Sequence, residues 1–344
     1  MKSYSVAVVG ATGAVGQEIL SLLEERRFPV GRLKLLASAR SAGKRCLFRG
    51  EEVVVEEASP EAFQGVEVAF FSAGGAVSRE LAPAAVERGA VVIDNTSAFR
   101  LEPEVPLVVP EVNPEDIRSH RGIIANPNCS TIIMLVAIAP LHRAAGIRRV
   151  VVSTYQAVSG AGAQAMEALK EQVRAYVEQR EVEPRILPYA AAPRHFPIAF
   201  NLIPQIDVFA EEGYTKEEWK MVREAQKILH APELRVTATT VRVPVFRCHS
   251  ESINLELERP LSPEEAREIL RRAPGVQVWD DPAAMEYPMP LAVTGKDDVY
   301  VGRIRRDLTV ESGLNLWVVG DQIRKGAALN ALQIAEWMRS AGLL

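Results

Sequence analysis

Residues 6–25 read VAVVGATGAVGQEILSLLEE, and they decide the fold. A β-branched apolar run ends at Gly10, glycines follow at 13 and 16, and apolar residues then recur at helical spacing (Val15, Ile19, Leu20, Leu22, Leu23). Strand, glycine turn and helix in that order form the first βα unit of an open parallel sheet. The turn suits a dinucleotide pyrophosphate: glycines let the backbone bend tightly and approach the anion, and the loop N–H groups and positive helix end hold its charge. The spacing is G-x-x-G-x-x-G, a variant of the commoner G-x-G-x-x-G, and the plain alternative is a glycine turn without a ligand. On the first reading Gly10, Thr12, Gly13, Ala14, Val15 and Gly16 contact the cofactor.

Moving outward, the second strand ends in LASARSAGK (residues 36–44), with Ser38, Arg40, Ser41 and Lys44 and no carboxylate. NAD-preferring folds tend to place an acidic residue there for the ribose hydroxyls, whereas guanidinium and hydroxyl donors suit a 2′-phosphate. NADP is therefore favoured, with Ser38, Arg40 and Ser41 as contacts; a solvated polar turn is the alternative. From Ser5 to about Ala125 the same alternation repeats: LKLLAS, VEVAFFSA, a helix over 76–88, AVVID and GIIAN, broken by a Pro-rich loop at 101–116. This is an α/β pattern with a doubly wound parallel sheet.

Beyond Asn128 the alternation lapses. A long apolar helix over 130–145 is followed by the strand RVVVSTYQAVSG (149–160), a helix over 163–179, and a Pro-rich aromatic stretch at 183–205 with little periodicity. Helices are expected at 216–229, where Thr215 and Glu218 form a capping box, and at 263–272, where Pro263 follows Ser262. Strands are expected at 235–243, 252–258, 299–305 and 314–319, which gives an α+β second domain with a mixed sheet. The apolar last helix, 323–339, is expected to return to the first domain. The division is 1–128, completed by 323–344, and 129–322.

A chain of 344 residues fits two domains, and its net charge of -4, with scattered Lys and Arg, excludes a nucleic-acid footprint. The first residues read as a strand rather than an export signal, and the apolar run 132–141 falls short of the roughly 20 residues that span a bilayer. No membrane association is implied, and the cytoplasm fits best. Three cysteines without a CxxC pair give neither a disulfide framework nor a thiolate zinc site, and the histidines lack metal-ligand spacing.

One cysteine stands apart. In ANPNCSTIIMLV (125–136) Cys129 follows an Asn-Pro-Asn turn and opens a helix, where first-turn N–H donors favour a thiolate nucleophile. An inert buried cysteine is the alternative. VRVPVFRCHS (241–250) supplies Arg242 and His249, seven apart on what reads as a strand and its continuation. A histidine beside a thiol can move protons near neutral pH, and an arginine can grip a carboxylate with two donors. A strand-end arginine and a surface histidine are the plain alternatives.

Taken in order, GATGAVG, NTSAFR (95–100), NPNCST, STYQAVSGAG (153–162), EEWK (217–220), VRVPVFRCHS and RKGAALN (324–330) resemble the bacterial aspartate-semialdehyde dehydrogenase family over nearly the whole chain. The resemblance implies a Rossmann-type NADP domain and a catalytic and dimerisation domain. It implies reversible, phosphate-dependent oxidation of aspartate semialdehyde to aspartyl phosphate, on the way to lysine, diaminopimelate, methionine, threonine and isoleucine. By the same resemblance Cys129 is the nucleophile, His249 the acid/base, and Gln156 positions the carbonyl. Arg242 holds the substrate carboxylate and Glu217 its amine, Arg100 and Lys220 hold phosphate, and Asn128 contacts substrate. Ser159, Gly160, Gly162 and Gln322 touch the cofactor, Gln322 standing where relatives often have Asn. The assembly implied is a homodimer or homotetramer. Three readings compete: N-acetyl-glutamyl-phosphate reductase, whose acetamide would sit poorly against Glu217; glyceraldehyde-3-phosphate dehydrogenase, the sequence around whose nucleophile this chain lacks; and a catalytically silent cofactor-binding relative.

Overall fold

The two patterns of alternation fold into two sheets. Residues 2–344 of the computed structural model are described, and they divide into a first unit (the chain up to Asn128 with Gly326–Leu344) and a second (Cys129–Lys325).

In the first unit the elements are β1 (Tyr4–Val9), α1 (Ala14–Glu25), β2 (Val30–Ala37), β3 (Arg45–Phe48), β4 (Glu51–Glu57), β5 (Val68–Phe71), α2 (Gly75–Glu87), β6 (Val91–Asp94) and β7 (Ile123–Ala125). The strand order is β3-β4-β2-β1-β5-β6-β7, parallel except where β3 and β4 pair antiparallel. Strand order thus reverses at β1/β5, the switch point where open α/β sheets bind ligands at their carboxyl ends. Both faces are covered, so β1 can be apolar without alternation: Val6, Ala7, Val8 and Val9 are fully buried. Ile19, Leu22 and Leu23 of α1 share one core with Leu332, Ala335 and Met338 of the C-terminal helix, Leu329–Ser340. Leu81, Ala82 and Ala85 of α2 share the other with Phe63 and Phe71. Burying each such Leu or Ile contributes about 2 kcal/mol.

The second unit holds α3 (Cys129–Ala145), β8 (Ile147–Gln156), α4 (Ala163–Val177), α5 (Lys216–Ile228), β9 (Arg235–Arg242), β10 (His249–Leu257), α6 (Pro263–Arg271), β11 (Val276–Val278), α7 (Pro290–Val293), β12 (Val299–Arg306) and β13 (Gly313–Gly320). Its order, β11-β12-β13-β10-β8-β9, is mixed, because β8 pairs parallel with β9 and antiparallel with β10. One face carries α3, buried over most of its circumference and seated so close that a Cβ on Gly320 would lie 2.8 Å from the Ile133 side chain. The capping boxes of Thr215 with Glu218 and Ser262 with Glu265 both form.

The doubly wound sheet and the mixed sheet agree with the fold read from the sequence, with differences in detail; the short β11 and α7 are not among the expected elements. The hairpin β3–β4 is unanticipated; Arg49 and Gly50 at its tip take φ of 51° and 80°, the paired positive values of a type I′ turn. Arg242 and His249 do not lie on one strand and its continuation: they sit on β9 and β10, which flank β8 on opposite sides. The last helix starts as a π turn, Arg324–Ala328, which apolar periodicity over one turn does not distinguish from α. Among the described residues no helix is long and apolar enough to cross a membrane, and no group of three or more His, Cys, Asp or Glu could hold a metal ion.

Candidate active site

In the first unit the glycine loop closes on itself. Gly10 takes φ +88°, and a Cβ there would meet Ser72 O at 2.8 Å; one on Gly16 would meet Gly10 O at 2.3 Å. Both positions exclude a side chain, so the loop backbone can approach β5 and α1 can start hard against it. Gly13 N–H donates to Gly10 O at 3.0 Å. The loop forms one wall of a cavity of about 570 Å³, lined also by Thr12, Ser38, Arg40, Ser41, Ser59, Ser72, Ala73 and Glu80. Six expected cofactor residues (Gly10, Thr12, Gly13, Ser38, Arg40 and Ser41) therefore surround one space at the switch point. Ala14 and Val15 follow as the first turn of α1. The shape fits a dinucleotide: a loop whose packed backbone leaves no room for a Cβ at Gly10 or Gly16, and a guanidinium at the end of β2 with no carboxylate beside it on that strand.

In the second unit, register assembles the other half of the chemistry. Gln156 on β8 is paired with Arg242 on β9, and Tyr155 with Ser250 on β10, so Arg242, Gln156 and His249 lie in one row across three strands. Arg242 Nη1 donates to Ala157 O at 2.7 Å, while its buried Nε has no partner. Gln156 Nε2 donates to Glu217 Oε1 at 3.1 Å and lies 3.3 Å from His249 Nε2; Thr154 Oγ1 donates to Gln156 Oε1 at 3.1 Å. The Ala157 N–H points at His249 Nδ1, 3.1 Å away. A Cβ on Gly160 would stand 2.8 Å from Arg242 Nη1 and 3.2 Å from His249 Cε1, so glycine keeps this row clear.

Charges here are strongly coupled. Burial lowers Arg242 below its ordinary range, and Glu217 and the Cys129 sulfur oppose that. Burial, then Arg242, drives His249 down to about 3, while Glu217 and the Cys248 backbone favour its protonated ring. The imidazole is thus neutral at neutral pH. Burial opposes the charge on Lys220, but Glu217 Oε2 at 3.0 Å and Asp207 Oδ2 at 3.1 Å outweigh it and hold the ammonium above its usual range.

Cys129, in no disulfide, is the first residue of the apolar helix α3, and Asn128 before it is buried. Arg100 lies in the first unit, where its Nε and Nη2 donate to Asn126 O and Asn95 O, both at 2.9 Å; Lys220 lies in the second. Ser159 and Gln322 form a pair: Gln322 Nε2 donates to Ser159 Oγ, and its Oε1 accepts from Cys248 N–H at 2.8 Å. That bond holds Cys248 at φ +75°, one residue before His249. The Cys248 thiol, pushed up to about 12 by burial, is inert. Reading along the chain missed Asp207, Thr154 and the Ala157 backbone. No local motif marks them, since each acts through a neighbour on another element.

Two family models match: the semialdehyde dehydrogenase NAD binding domain over residues 5–120 and the semialdehyde dehydrogenase dimerisation domain over 138–325. The chain is 54% identical to aspartate-semialdehyde dehydrogenase of Bacillus subtilis over 100% of its length and 99% of that protein. It is 57% identical to that of Aquifex aeolicus, with 99% of each chain covered. Among solved structures, aspartate semialdehyde dehydrogenase II of Vibrio cholerae complexed with ASA superposes with a TM-score of 0.93 at 47% identity, covering 99% of each chain. The Candida albicans enzyme with NADP gives 0.77 at 27% identity, covering all of both. The glycine cradle lies in the first matched region and the second unit from residue 138 in the second, the relatives align over essentially the full length, and the chain belongs to the aspartate-semialdehyde dehydrogenases.

Proposed function

We propose that this chain interconverts L-aspartate 4-semialdehyde plus phosphate with L-4-aspartyl phosphate through a thioester on Cys129, using NADP and working as a cytoplasmic homodimer. The observation that carries it is the electrostatic influence of Cys129 on buried Arg242, which stands in one strand-to-strand row with Gln156 and a neutral His249.

Arg242 holds the substrate carboxylate: its unpartnered Nε and fixed fork suit a planar anion, and its substrate-free anchor is a single carbonyl. Glu217, buried on α5, faces the substrate ammonium. So held, the aldehyde carbon is open to Cys129, whose thiol proton passes through His249 to the carbonyl oxygen as the sulfur adds, giving a hemithioacetal. Gln156 fixes the oxygen, and neutral His249 takes the hydroxyl proton as hydride leaves the carbon. The cradle of Gly10, Thr12, Gly13, Ala14, Val15 and Gly16 with Ser38, Arg40 and Ser41 would hold NADP, which would supply the hydride acceptor, and Ser159, Gly160, Gly162 and Gln322 would contact its nicotinamide end. A phosphate oxygen then attacks the thioester, expelling the Cys129 thiolate, with Arg100, Lys220 and Asn128 as ligands. Arg40 favours NADP over NAD because it offers a rigid cationic fork where a carboxylate would repel a 2′-phosphate. The dimerisation-domain match supports a homodimer.

Purified protein given aspartate semialdehyde, NADP and phosphate should form NADPH only while phosphate is present. N-acetylated glutamate semialdehyde should not replace the substrate, because its acetamide offers the Glu217 carboxylate no cation. Turnover of the acetylated substrate alone would transfer the assignment to that reductase, and turnover of neither would point to a silent relative.

A further inference from the structure

Beneath the working row of the second unit the register stacks a second polar row. Two residues further into each strand, on the same face, stand Thr240 of β9, Thr154 of β8 and Glu251 of β10, with Val318 of β13 at the end. All three polar residues are fully buried. Thr154 is engaged with Gln156 Oε1, but Thr240 Oγ1 and both carboxyl oxygens of Glu251 have no hydrogen-bond partner. The next residues on this face of β10, Ile253 and Leu255, are ordinary buried hydrocarbons. A carboxyl group in such a layer is destabilising unless a function retains it. Burial pushes the Glu251 carboxyl well above the usual range, with no cation near enough to oppose it. Burial thus favours its protonated form, which can donate as well as accept.

We propose that Glu251 is a positioning residue for the working row: facing Thr154 across the β8–β10 ladder, its acid proton is given to Thr154 Oγ1, which commits the Thr154 proton to Gln156 Oε1. Directly opposed residues on neighbouring strands have Cβ atoms about 5 Å apart, within reach of a glutamic acid side chain by rotation. The consequence is directional. With Oε1 held by Thr154, the Gln156 NH₂ must face Glu217 and His249, as observed. The Thr154–Gln156 bond already stands with Glu251 unpartnered, so Glu251 turned onto Thr154 reinforces an existing orientation; without that donor the hydroxyl leaves Oε1 more readily and the amide flips more often, turning its carbonyl oxygen toward Glu217. Glu251 does this without touching substrate, cofactor or reacting atoms. The inference rests on Gln156 and His249 acting as proposed above.

The test compares phosphate-dependent NADPH formation by the full chain and its variants. Glu251→Gln keeps a neutral donor and should hold kcat within about threefold. Glu251→Met removes it and should lower kcat by about tenfold with KM for the semialdehyde unchanged, the effect of one lost orienting hydrogen bond. Melting temperature should stay level or rise, since an unpaired buried acid is gone. Thr154→Val should show the same loss, and the double variant should be no worse than either single one. Unchanged kcat in Glu251→Met, equal impairment of Gln and Met variants, or additive losses would each overturn the proposal. Should Glu251→Met not fold, Thr154→Val against Thr154→Ser decides: equal kcat overturns it, and loss in Val alone supports it. Failure of the wild-type chain to oxidise the semialdehyde would instead remove the functional reading beneath it.

Discussion

The glycine loop of the first unit and the Arg242–Gln156–His249 row of the second solve opposite problems. The loop must exclude side chains so that backbone N–H groups can reach a ligand, and it does so within seven consecutive residues, where Gly10 and Gly16 approach each other too closely for a Cβ. The row must bring large side chains together. It takes one from each of three strands, aligned by register, and sets their charges by shared burial. Local backbone sterics govern the first region and long-range pairing the second, so damage in one should leave the other's own readout intact.

The largest effect should come from the row's nucleophile. Cys129→Ala should reduce phosphate-dependent turnover by at least about a thousandfold while NADP binding, followed by fluorescence titration, stays within twofold. Equal loss of cofactor binding would break the separation. Next, Gly16→Ala drives a methyl into Gly10 O and Ala11 Cα, both backbone. It should weaken NADP by tenfold or more, about 1.4 kcal/mol, yet leave the rate of Cys129 alkylation unchanged. Gly13→Ala, whose Cβ would meet only Gly10 O at 3.3 Å, should be much milder, and a reversed order would refute the cradle geometry. Arg40→Ala should raise KM for NADP about tenfold and leave KM for NAD nearly constant, the signature of one charge-assisted phosphate contact.

The smallest effect is on stability. His249 resists protonation in the folded chain down to about pH 3, whereas its ordinary value is 6.5. The unfolded chain therefore binds the proton first. Stability tied to this group is complete above pH 6.5 and is lost as pH falls toward 3. His249→Gln should flatten that part of the urea-unfolding profile, and an unchanged slope would show that the ring is not held neutral.

The same contrast explains what could be read from the chain directly. VAVVGATGAVG carries its own geometry, because strand, glycines and helix are consecutive and each residue type has one physical reason to be there. Cys129 was legible for the same reason, sitting between an Asn-Pro-Asn turn and a long apolar run. Arg242 and His249 were legible as chemistry but not as placement: the loop 243–248 carries the chain across β8, and no seven-residue spacing reveals that. Glu251 and Thr154 read as ordinary alternation inside strands. The β3–β4 hairpin, RCLFRGEEVVVEE over 45–57, lacks strict alternation, and only the Arg49-Gly50 turn marks it. The shared feature of these is dependence on a partner distant in sequence.

The most direct test of the account mixes the protein with aspartate semialdehyde and NADP in phosphate-free buffer, quenches in acid, and measures intact mass and peptide mass. The account predicts one equivalent of NADPH and an aspartyl adduct on the peptide bearing Cys129, both absent in Cys129→Ala, with the adduct discharged as acyl phosphate when phosphate is added. Continued NADPH formation without phosphate and without a cysteine adduct, or an undiminished yield from Cys129→Ala, would contradict it.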